Sequence, residues 1–283
     1  MKDARVAAVV ATYNRKELLR KCCQALLSQT RPLNEIIVID GNSTDGTDQM
    51  LKQEFPQVTY IRLRENMGSS GHFHEGIKLA YEKGHDWIWI MDDDVVPYKD
   101  TLEKLLSEVV GKKAKAIVPK MVNDLQKPYD NSKPSPLFAG GLISRDCVGA
   151  VGLPLKEFFI YCDDTEYWWR LNKRKFLVLQ SKQALVQHTD WANQPKRLKK
   201  ILGIKIQRPV YPDWKSYYII RNHILLHIIH KKIFSALLFA TFGAVKEIFA
   251  CSLTGQYAKV PYIVRGTIDG VFLRKGKRVT PPY

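Results

Sequence analysis

The chain has 283 residues, of which 45% are apolar; this excludes a disordered protein and predicts one large folded domain, with or without an appendage. It carries 44 Lys and Arg against 28 Asp and Glu, a net charge of +16 that favours nucleic acid, anionic lipid or phosphorylated ligands as partners. Its five cysteines form no Cys-x-x-Cys pair, which argues against a disulfide framework and favours a reducing cytosol.

The first 118 residues alternate short apolar runs with amphipathic stretches, which predicts strands and helices in succession around a mainly parallel sheet. Residues 6–13 are nearly all apolar, as in a strand covered on both faces, and the polar residues that follow at once argue against a secretion signal. Asn14, with Glu17 three residues later, predicts a helix that opens on a capping box. The further elements predicted here are strands at 35–40, 58–63 and 87–91 and helices that start near residues 47 and 72.

Three consecutive aspartates, Asp92, Asp93 and Asp94, follow the apolar run at residues 87–91. Adjacent carboxylates at the end of a buried strand repel one another and lose hydration, a cost that a bound cation offsets. Asp92 and Asp94 alternate along an extended backbone and can face the same side, with Asp93 pointing elsewhere. Because ligands of open α/β sheets bind beyond the carboxyl ends of strands, we predict a Mg²⁺ or Mn²⁺ site here. The alternative is a solvated acidic turn that caps the next helix.

The composition changes along the second half of the chain. The polar composition of residues 122–136 predicts a long loop. A strand is predicted at residues 138–146, and a helix is expected to start near Asp163. After His188 the sequence becomes basic and then strongly apolar. The apolar helical stretch has an uncharged core at residues 233–245 of 13 residues. Because about 20 residues are needed to cross a bilayer, we expect an interfacial or packed helix.

A mixed basic and apolar segment lies before that stretch. Its cations are Lys196, Arg197, Lys199, Lys200, Lys205 and Arg208. Such a composition suits an anionic membrane surface, where each cation contributes on the order of 1 kcal/mol. The alternative is a solvated basic face beside packed helices. We expect residues 196–250 to dock the protein on a membrane.

Five motifs occur in order: "VVATYNRKELLRKCCQALLSQT", "EIIVIDGNSTDGT", "ENMGSSGHFHEGIKLAYEKGHDWIWIMDDDVVP", "KEFFIYCDDTEYWWRL" and "ALVQH". In order and spacing they resemble family 2 glycosyltransferases, most of all the galactofuranosyltransferase-like and rhamnosyltransferase-like branch, over residues 5–190. The resemblance implies an α/β GT-A-type nucleotide-binding fold at residues 1–195, with a C-terminal helical, basic appendage at residues 196–283. It also implies an inverting sugar transfer from a nucleotide-activated donor, with Mn²⁺ or Mg²⁺ on the diphosphate.

The resemblance assigns residues to three roles. The nucleotide-binding positions are Thr12, Tyr13, Asn14, Asp40, Asn66, Asp92 and Asp93. The metal positions are Asp92, Asp94 and His188. Asp164 stands where the branch has its catalytic base, and Asp163 is a second candidate that could instead cap the helix. A carboxylate there can accept the proton of an acceptor hydroxyl, while a metal can neutralise the leaving diphosphate.

The expected donor is UDP-galactofuranose, and the expected acceptor is a glycan or a lipid-linked glycan of cell-surface polysaccharide synthesis. Transfer of rhamnose from dTDP-rhamnose is the alternative within the family. A nucleic-acid-binding protein would also be basic, but the sequence shows no organised reading element, so we expect no nucleic acid partner. A non-catalytic sugar-binding module would have lost the carboxylates, which are present. We expect a cytoplasmic enzyme, peripheral on the inner face of the plasma membrane.

Overall fold

The computed structural model of the chain describes residues 4–123, 138–188, 196–201 and 204–280, and only the backbone of those between 196 and 209. The chain divides into two compact units: unit one comprises residues 1–156 and 163–192, and unit two comprises residues 157–162 and 193–283. The assignment of residues 1–195 to nucleotide-sugar chemistry and of residues 196–283 to acceptor or membrane association stays a prediction. The long loop predicted at residues 122–136 lies almost entirely outside the described residues.

Unit one alternates strands and helices in the predicted manner. Its strands are β1 (Val6–Thr12), β2 (Glu35–Asp40), β3 (Thr59–Arg62), β4 (Trp87–Asp92), β5 (Val95–Pro97), β6 (Ala116–Val122), β7 (Gly141–Ser144) and β8 (Val178–His188). Its α-helices are α1 (Lys16–Leu27), α2 (Thr47–Glu54), α3 (Gly68–Glu82), α4 (Thr101–Lys112), α5 (Arg145–Val151) and α6 (Asp163–Lys173). A short 3₁₀ turn, Lys156–Phe158, precedes α6 along the chain.

The eight strands form one mixed sheet in the order β3-β2-β1-β4-β7-β6-β8-β5. The half made of β3, β2, β1 and β4 is parallel, as the alternation of strands and helices predicts. In the other half, β7 pairs antiparallel with β4 and β6, and β5 pairs antiparallel with β8. The carboxyl ends of β1, β2 and β4 therefore lie at one edge, where sites of such sheets form.

Helices cover both faces of the parallel half. All seven residues of β1 are buried, and successive side chains point to opposite faces. Val10 belongs to the apolar cluster that contains buried residues of α1 and α2, whereas Val9 belongs to the cluster with Phe73 and Ile77 of α3. A strand with both faces covered must be apolar throughout, which is the pattern that identified it.

The capping box predicted at Asn14 is wrong, because α1 begins at Lys16 and takes its cap from elsewhere. The backbone N–H of Lys16 donates to Asp45 Oδ2 at 2.9 Å. Asn14 adopts a left-handed conformation with φ 52°, which asparagine tolerates. Its Oδ1 accepts the N–H of Thr44 at 2.8 Å. The polar side chains after β1 therefore fasten the β2–α2 loop to this edge of the sheet.

Glu35 ties the start of β2 to its neighbours on β3 and after α3. Its carboxylate accepts hydrogen bonds from Thr59 Oγ1 at 2.7 Å, from His85 Nε2 at 2.8 Å and from Lys83 Nζ. Partial burial alone would raise its pKa, but these hydrogen bonds outweigh it and lower the pKa of Glu35 to about 2. The carboxylate form is therefore favoured in the folded protein.

We expect Glu35→Gln to lower the free energy of unfolding at pH 7 by about 2 kcal/mol. A depressed carboxyl pKa stabilises the fold above the unfolded-state pKa, near 4.5, and this stabilisation is lost as the pH falls towards 2. The difference between wild type and variant should therefore shrink to less than about half by pH 3. Urea unfolding at pH 7, 5 and 3 measures it. The exposed Glu82→Gln is the control, and a pH-independent difference for Glu35→Gln would contradict the prediction.

Unit two combines a β-hairpin with helices. Its strands β9 (Lys196–Ile201) and β10 (Ile204–Pro209) pair antiparallel. Its helices are α7 (Lys215–Ile229), α8 (Ile233–Leu238), α9 (Ala244–Leu253) and α10 (Val260–Val271), with a π-helical turn at Phe239–Gly243 and a 3₁₀ turn at Tyr257–Lys259. The appendage predicted as helical is thus a hairpin over its basic segment. Residues 204–207 alternate apolar and polar side chains, the period of a strand.

Helix α8, the π-helical turn and α9 run on as one helix, Ile233–Leu253, of 21 residues. It extends beyond the uncharged core because Lys246 and Glu247 do not interrupt it. Among the described residues it is the one helix whose length and composition would allow it to cross a membrane. Within its most apolar stretch of 18 residues, 11% is buried. The expectation of a helix too short to span is therefore wrong in length.

Candidate active site

The edge of the sheet where β1, β2 and β4 end gathers most of the predicted site residues. Register places Thr12 opposite Asp40, and Ala11 opposite Asp92, so three neighbouring strands deliver polar side chains to one place. The apolar strands end there because the carboxylates need water, a partner or a cation.

Asp92, Asp94 and His188 come together at this edge. Their nearest ligand atoms all lie within 4.8 Å of one another. His188 is brought there because β8 pairs antiparallel with β5, which sets His188 opposite Val95. The distance from His188 Nε2 to Asp94 Oδ1 is 3.7 Å. Burial, aided by the nearby Arg15 and opposed by Asp94, lowers the pKa of His188, so that the imidazole is neutral, the form that binds metals.

The residues present fit a divalent metal. Desolvation, together with the charges of Asp94 and Asp93, raises the pKa of Asp92 well above its usual range. Two carboxylates and one neutral imidazole are ligands that Mn²⁺ accepts, and a cation among them would remove the repulsion that the cluster otherwise carries. Aspartate triplets that merely form a solvated turn would face water, whereas Asp93 and Asp94 are buried.

Asp93 points away from that group and is used within the protein. Its Oδ2 accepts the hydroxyl hydrogen bond of Thr12 at 2.7 Å, and its Oδ1 accepts from Arg15 at 2.8 Å. Arg15 also reaches Asp94 Oδ2 at 3.2 Å. Burial raises the pKa of Asp93 to about 7, helped by Asp94 and opposed by Arg15 and Thr12. Arg15 was not predicted as a site residue, although a cation three residues after the end of the first strand is a usable signal.

Asp163 and Asp164 begin α6 and differ in environment. Asp163 is buried, and its Oδ2 accepts the hydroxyl groups of Ser70 at 3.0 Å and Ser69 at 3.3 Å from the start of α3. Burial and the adjacent Asp164 raise the pKa of Asp163 to about 7, with Ser70 opposing the shift. Asp164 is partly exposed, and its Oδ1 accepts the N–H of Thr165 at 2.6 Å. Of the two carboxylates, Asp164 is the more exposed.

The remaining predicted nucleotide residues shape the loops of this edge. Asp40 is fully buried; its Oδ1 accepts the N–H of Ser43 at 3.0 Å and its Oδ2 accepts the hydroxyl of Tyr60 at 2.7 Å. Asp40 therefore orders the loop after β2. Asn66 does the same before α3, since its Oδ1 accepts the N–H of Gly68 at 2.8 Å.

Gly41, directly after β2, allows a close approach at the same edge. A Cβ atom at this position would lie 2.6 Å from His72 Nε2 and 3.3 Å from the Tyr13 ring, so only glycine fits without a shift. His72 is buried, and desolvation lowers its pKa to about 4. Tyr13, a predicted nucleotide-binding residue, thus lies beside the loop that follows β2.

The chain is similar in sequence to proteins of one family. Residues 7–188 match the family model described as glycosyl transferase family 2. The chain is 31% identical over 248 residues to the galactofuranosyltransferase GlfT1 of Mycolicibacterium smegmatis, covering 77% of this chain and 81% of that protein. It is 26% identical over 248 residues to the dTDP-rhamnosyl transferase RfbF of Shigella flexneri, covering 79% of this chain and 80% of that protein.

A solved structure shares the fold. The mannosyltransferase PcManGT from Pyrobaculum calidifontis, in complex with GDP-Man and Mn²⁺, superposes with a TM-score of 0.59 at 13% identity, covering 96% of this chain and 89% of that one. At this identity the likeness concerns the fold alone. The predicted GT-A-type α/β fold is confirmed; its sheet is mixed, with β7 antiparallel to β4 and β6, β5 antiparallel to β8, and the other strand pairs parallel.

Proposed function

Because the chain belongs to glycosyltransferase family 2, we propose that it is an inverting, metal-dependent hexosyltransferase that moves galactofuranose from UDP-galactofuranose to a glycan or lipid-linked glycan acceptor. The convergence of Asp92, Asp94 and His188 is the observation that carries this proposal. The similarity to a galactofuranosyltransferase over most of both chains supports the choice of sugar.

Asp92, Asp94 and His188 would hold the divalent ion, Mn²⁺ or Mg²⁺. When bound, the ion neutralises the charge that develops on the leaving diphosphate. Arg15 keeps Asp94 in place from the side of β1, and Thr12 holds Asp93 turned away. The protein thus fixes the ligand side chains before any donor arrives, which lowers the reorganisation needed during transfer.

Asp164 would act as the general base. Its partly exposed carboxylate can accept the proton of the acceptor hydroxyl as that oxygen attacks the anomeric carbon. Asp163 is held by Ser69 and Ser70 and orients the start of α6. Inversion follows because the acceptor attacks in one displacement from the side opposite the diphosphate.

Transfer of rhamnose from dTDP-rhamnose is the second candidate, since the similarity to a dTDP-rhamnosyl transferase covers as much of the chain. A screen that measures release of UDP or dTDP from both donors separates the two. We expect UDP-galactofuranose turnover to exceed dTDP-rhamnose turnover, and EDTA to reduce it by at least about 10²-fold. Preference for dTDP-rhamnose would select the alternative, and full activity in EDTA would refute the metal dependence.

We further propose that the protein is peripheral on the cytoplasmic face of the plasma membrane and binds it through helix 233–253. Exposed residues recur about every four positions along this helix, and the exposed side chains include Phe234 at 74%, Phe242 at 74% and Phe249 at 63%. The inward face instead carries small residues such as Ala236 and Ala244. Large apolar groups outside and small ones inside reverse the order usual in water and resemble helices in contact with lipid.

An in-plane position suits this helix better than a spanning one. The inward face of helix 233–253 packs on Ile220 and Ile224 of α7. Helix α7 also carries the buried Arg221 and Asn222, which donate hydrogen bonds within unit two. Lys246 lies on the exposed face of this helix, and Lys231 and Lys232 directly precede the helix. In an in-plane position these cations would meet the phosphate groups of an anionic bilayer.

Liposome flotation tests the membrane proposal. We expect the triple variant Phe234→Gln, Phe242→Gln, Phe249→Gln to lose binding to phosphatidylglycerol vesicles by about tenfold or more, since each ring leaves the acyl boundary. The double variant Leu27→Gln, Val110→Gln, on exposed apolar residues of unit one, is the matched control. A variant with the six cations of residues 196–208 changed to Gln measures the electrostatic share. Equal flotation of the Phe variant and the wild type would refute insertion.

A further inference from the structure

The C-terminal part of unit two concentrates positive charge around a single carboxylate. Residues 260–280 contain five cationic residues and one acidic residue, Asp269, a net charge of +4. Three of the cations, Arg265, Arg274 and Arg278, line one cavity of about 510 Å³ with Asp269. The catalytic proposal uses none of these residues.

Asp269 organises the arginines. Its side chain is 3% exposed, Oδ1 accepts from Arg274 Nη1 at 3.0 Å, and Oδ2 accepts from Arg278 Nε at 3.2 Å. Tyr217 donates its hydroxyl to the same Oδ2 at 2.6 Å. Arg265 donates through Nη2 to the carbonyl of Arg278 at 3.0 Å.

This arrangement leaves an excess of positive charge beside the cavity. Each guanidinium has five N–H donors, so the contacts with Asp269 and the Arg278 carbonyl use a minor part of them. Partial burial would raise the pKa of Asp269, but Tyr217 and the arginines lower it, and the residue stays anionic. Three guanidinium groups against one carboxylate give a local charge of +2. Guanidinium groups match the oxygens of phosphate in geometry and charge.

The wall next to these arginines is apolar. Val264 and Ile268 of α10 line the same cavity and are 44% and 46% exposed. An inorganic anion gains nothing from such a wall, whereas a phosphate attached to a hydrocarbon chain uses both parts. The exposed aromatic face of helix 233–253 shows that unit two presents apolar surface elsewhere as well.

We propose that this cavity is a binding site for a lipid-borne phosphate, with Arg265, Arg274 and Arg278 on the phosphate oxygens and Val264 and Ile268 against the first part of the chain. The role of this site rests on the proposed function. The site would hold either the diphosphate of a lipid-linked acceptor or the headgroup of an anionic phospholipid. The recognised chemistry is the same in both cases.

The test measures binding of farnesyl diphosphate to the whole protein by titration calorimetry in EDTA, so that no metal-held diphosphate at Asp92 and Asp94 contributes. Inorganic pyrophosphate is the probe without a chain, and nanodiscs of phosphatidylcholine with or without phosphatidylglycerol are the headgroup arm. The variants are Arg265→Gln with Arg274→Gln, and Arg265→Gln alone. The single variant leaves both ion pairs of Asp269 in place and keeps the test valid if the double variant fails to fold. Arg174→Gln, on an exposed arginine of unit one, is the matched control.

We expect the double variant to lose about tenfold or more in affinity for the lipid probe, the single variant about threefold, and the control nothing. A loss for farnesyl diphosphate supports an acceptor diphosphate, and a loss confined to phosphatidylglycerol supports a headgroup. Equal binding by wild type and both variants in both lipid arms would overturn the site, as would a loss that inorganic pyrophosphate reproduces in full. Donor turnover measured in parallel tests the transferase proposal separately, because the binding assay needs no turnover.

Discussion

Asp92→Asn is expected to reduce metal-dependent sugar transfer by about 10³-fold while leaving the metal-free protein at least as stable as the wild type. The two effects have opposite signs because the same carboxylate is a ligand when a metal is bound and a source of repulsion when it is not. Burial beside Asp94 and Asp93 raises the pKa of Asp92, so the charged form is disfavoured without a metal, and the neutral amide avoids this cost of about 1 kcal/mol. Kinetics with Mn²⁺ measure sugar transfer, and urea unfolding in EDTA measures the stability of the metal-free protein. Calorimetric titration with Mn²⁺ measures the affinity for the ion.

Asp93→Asn is the matched control, since it removes the same charge one residue away. Asp93 accepts hydrogen bonds from Thr12 and Arg15 and is turned from the metal group. We expect this variant to lose about 1–3 kcal/mol of stability while Mn²⁺ affinity stays within about threefold of wild type. If Asp93→Asn lost as much Mn²⁺ affinity as Asp92→Asn, the assignment of Asp92, Asp94 and His188 as the ligands would be wrong.

The parts of the site that follow β4 could be predicted from the sequence because they depend on local pattern. An unbroken apolar run identifies a strand covered on both faces, and the carboxylates that end it must lie at the edge of the sheet. The extended backbone assumed for Asp92 to Asp94 is wrong, because Asp93 and Asp94 form a turn between β4 and β5. This turn still leaves the ligand atoms of Asp92 and Asp94 within 4.8 Å of each other.

Residues that long-range strand pairing brings to the site could not be predicted from local sequence pattern. His188 meets Asp94 because β8 pairs antiparallel with the three-residue strand β5, and a strand that short leaves little periodic signal. The resemblance to a family suggested His188, whereas spacing alone could not. Arg15 was missed for a related reason: its partners lie nearly eighty residues away along the chain.

The errors at helix ends have a physical cause as well. Asn14 and Glu17 fit a capping box, but the cap of α1 comes from Asp45, in a loop that the tertiary structure brings near. In unit two, Lys246 and Glu247 end the uncharged core without ending the helix, because one polar pair costs an exposed helix little. Local propensity therefore located these elements, and tertiary contacts fixed their limits.

Asp164→Asn is expected to lower kcat by at least about 10²-fold with little change in the affinity for UDP, because the amide cannot accept the proton of the attacking hydroxyl. Asp163→Asn is the paired variant. Its amide oxygen can still accept from Ser70, and we expect a fall of about tenfold or less. Undiminished turnover in Asp164→Asn, with full loss in Asp163→Asn, would transfer the role of base to Asp163.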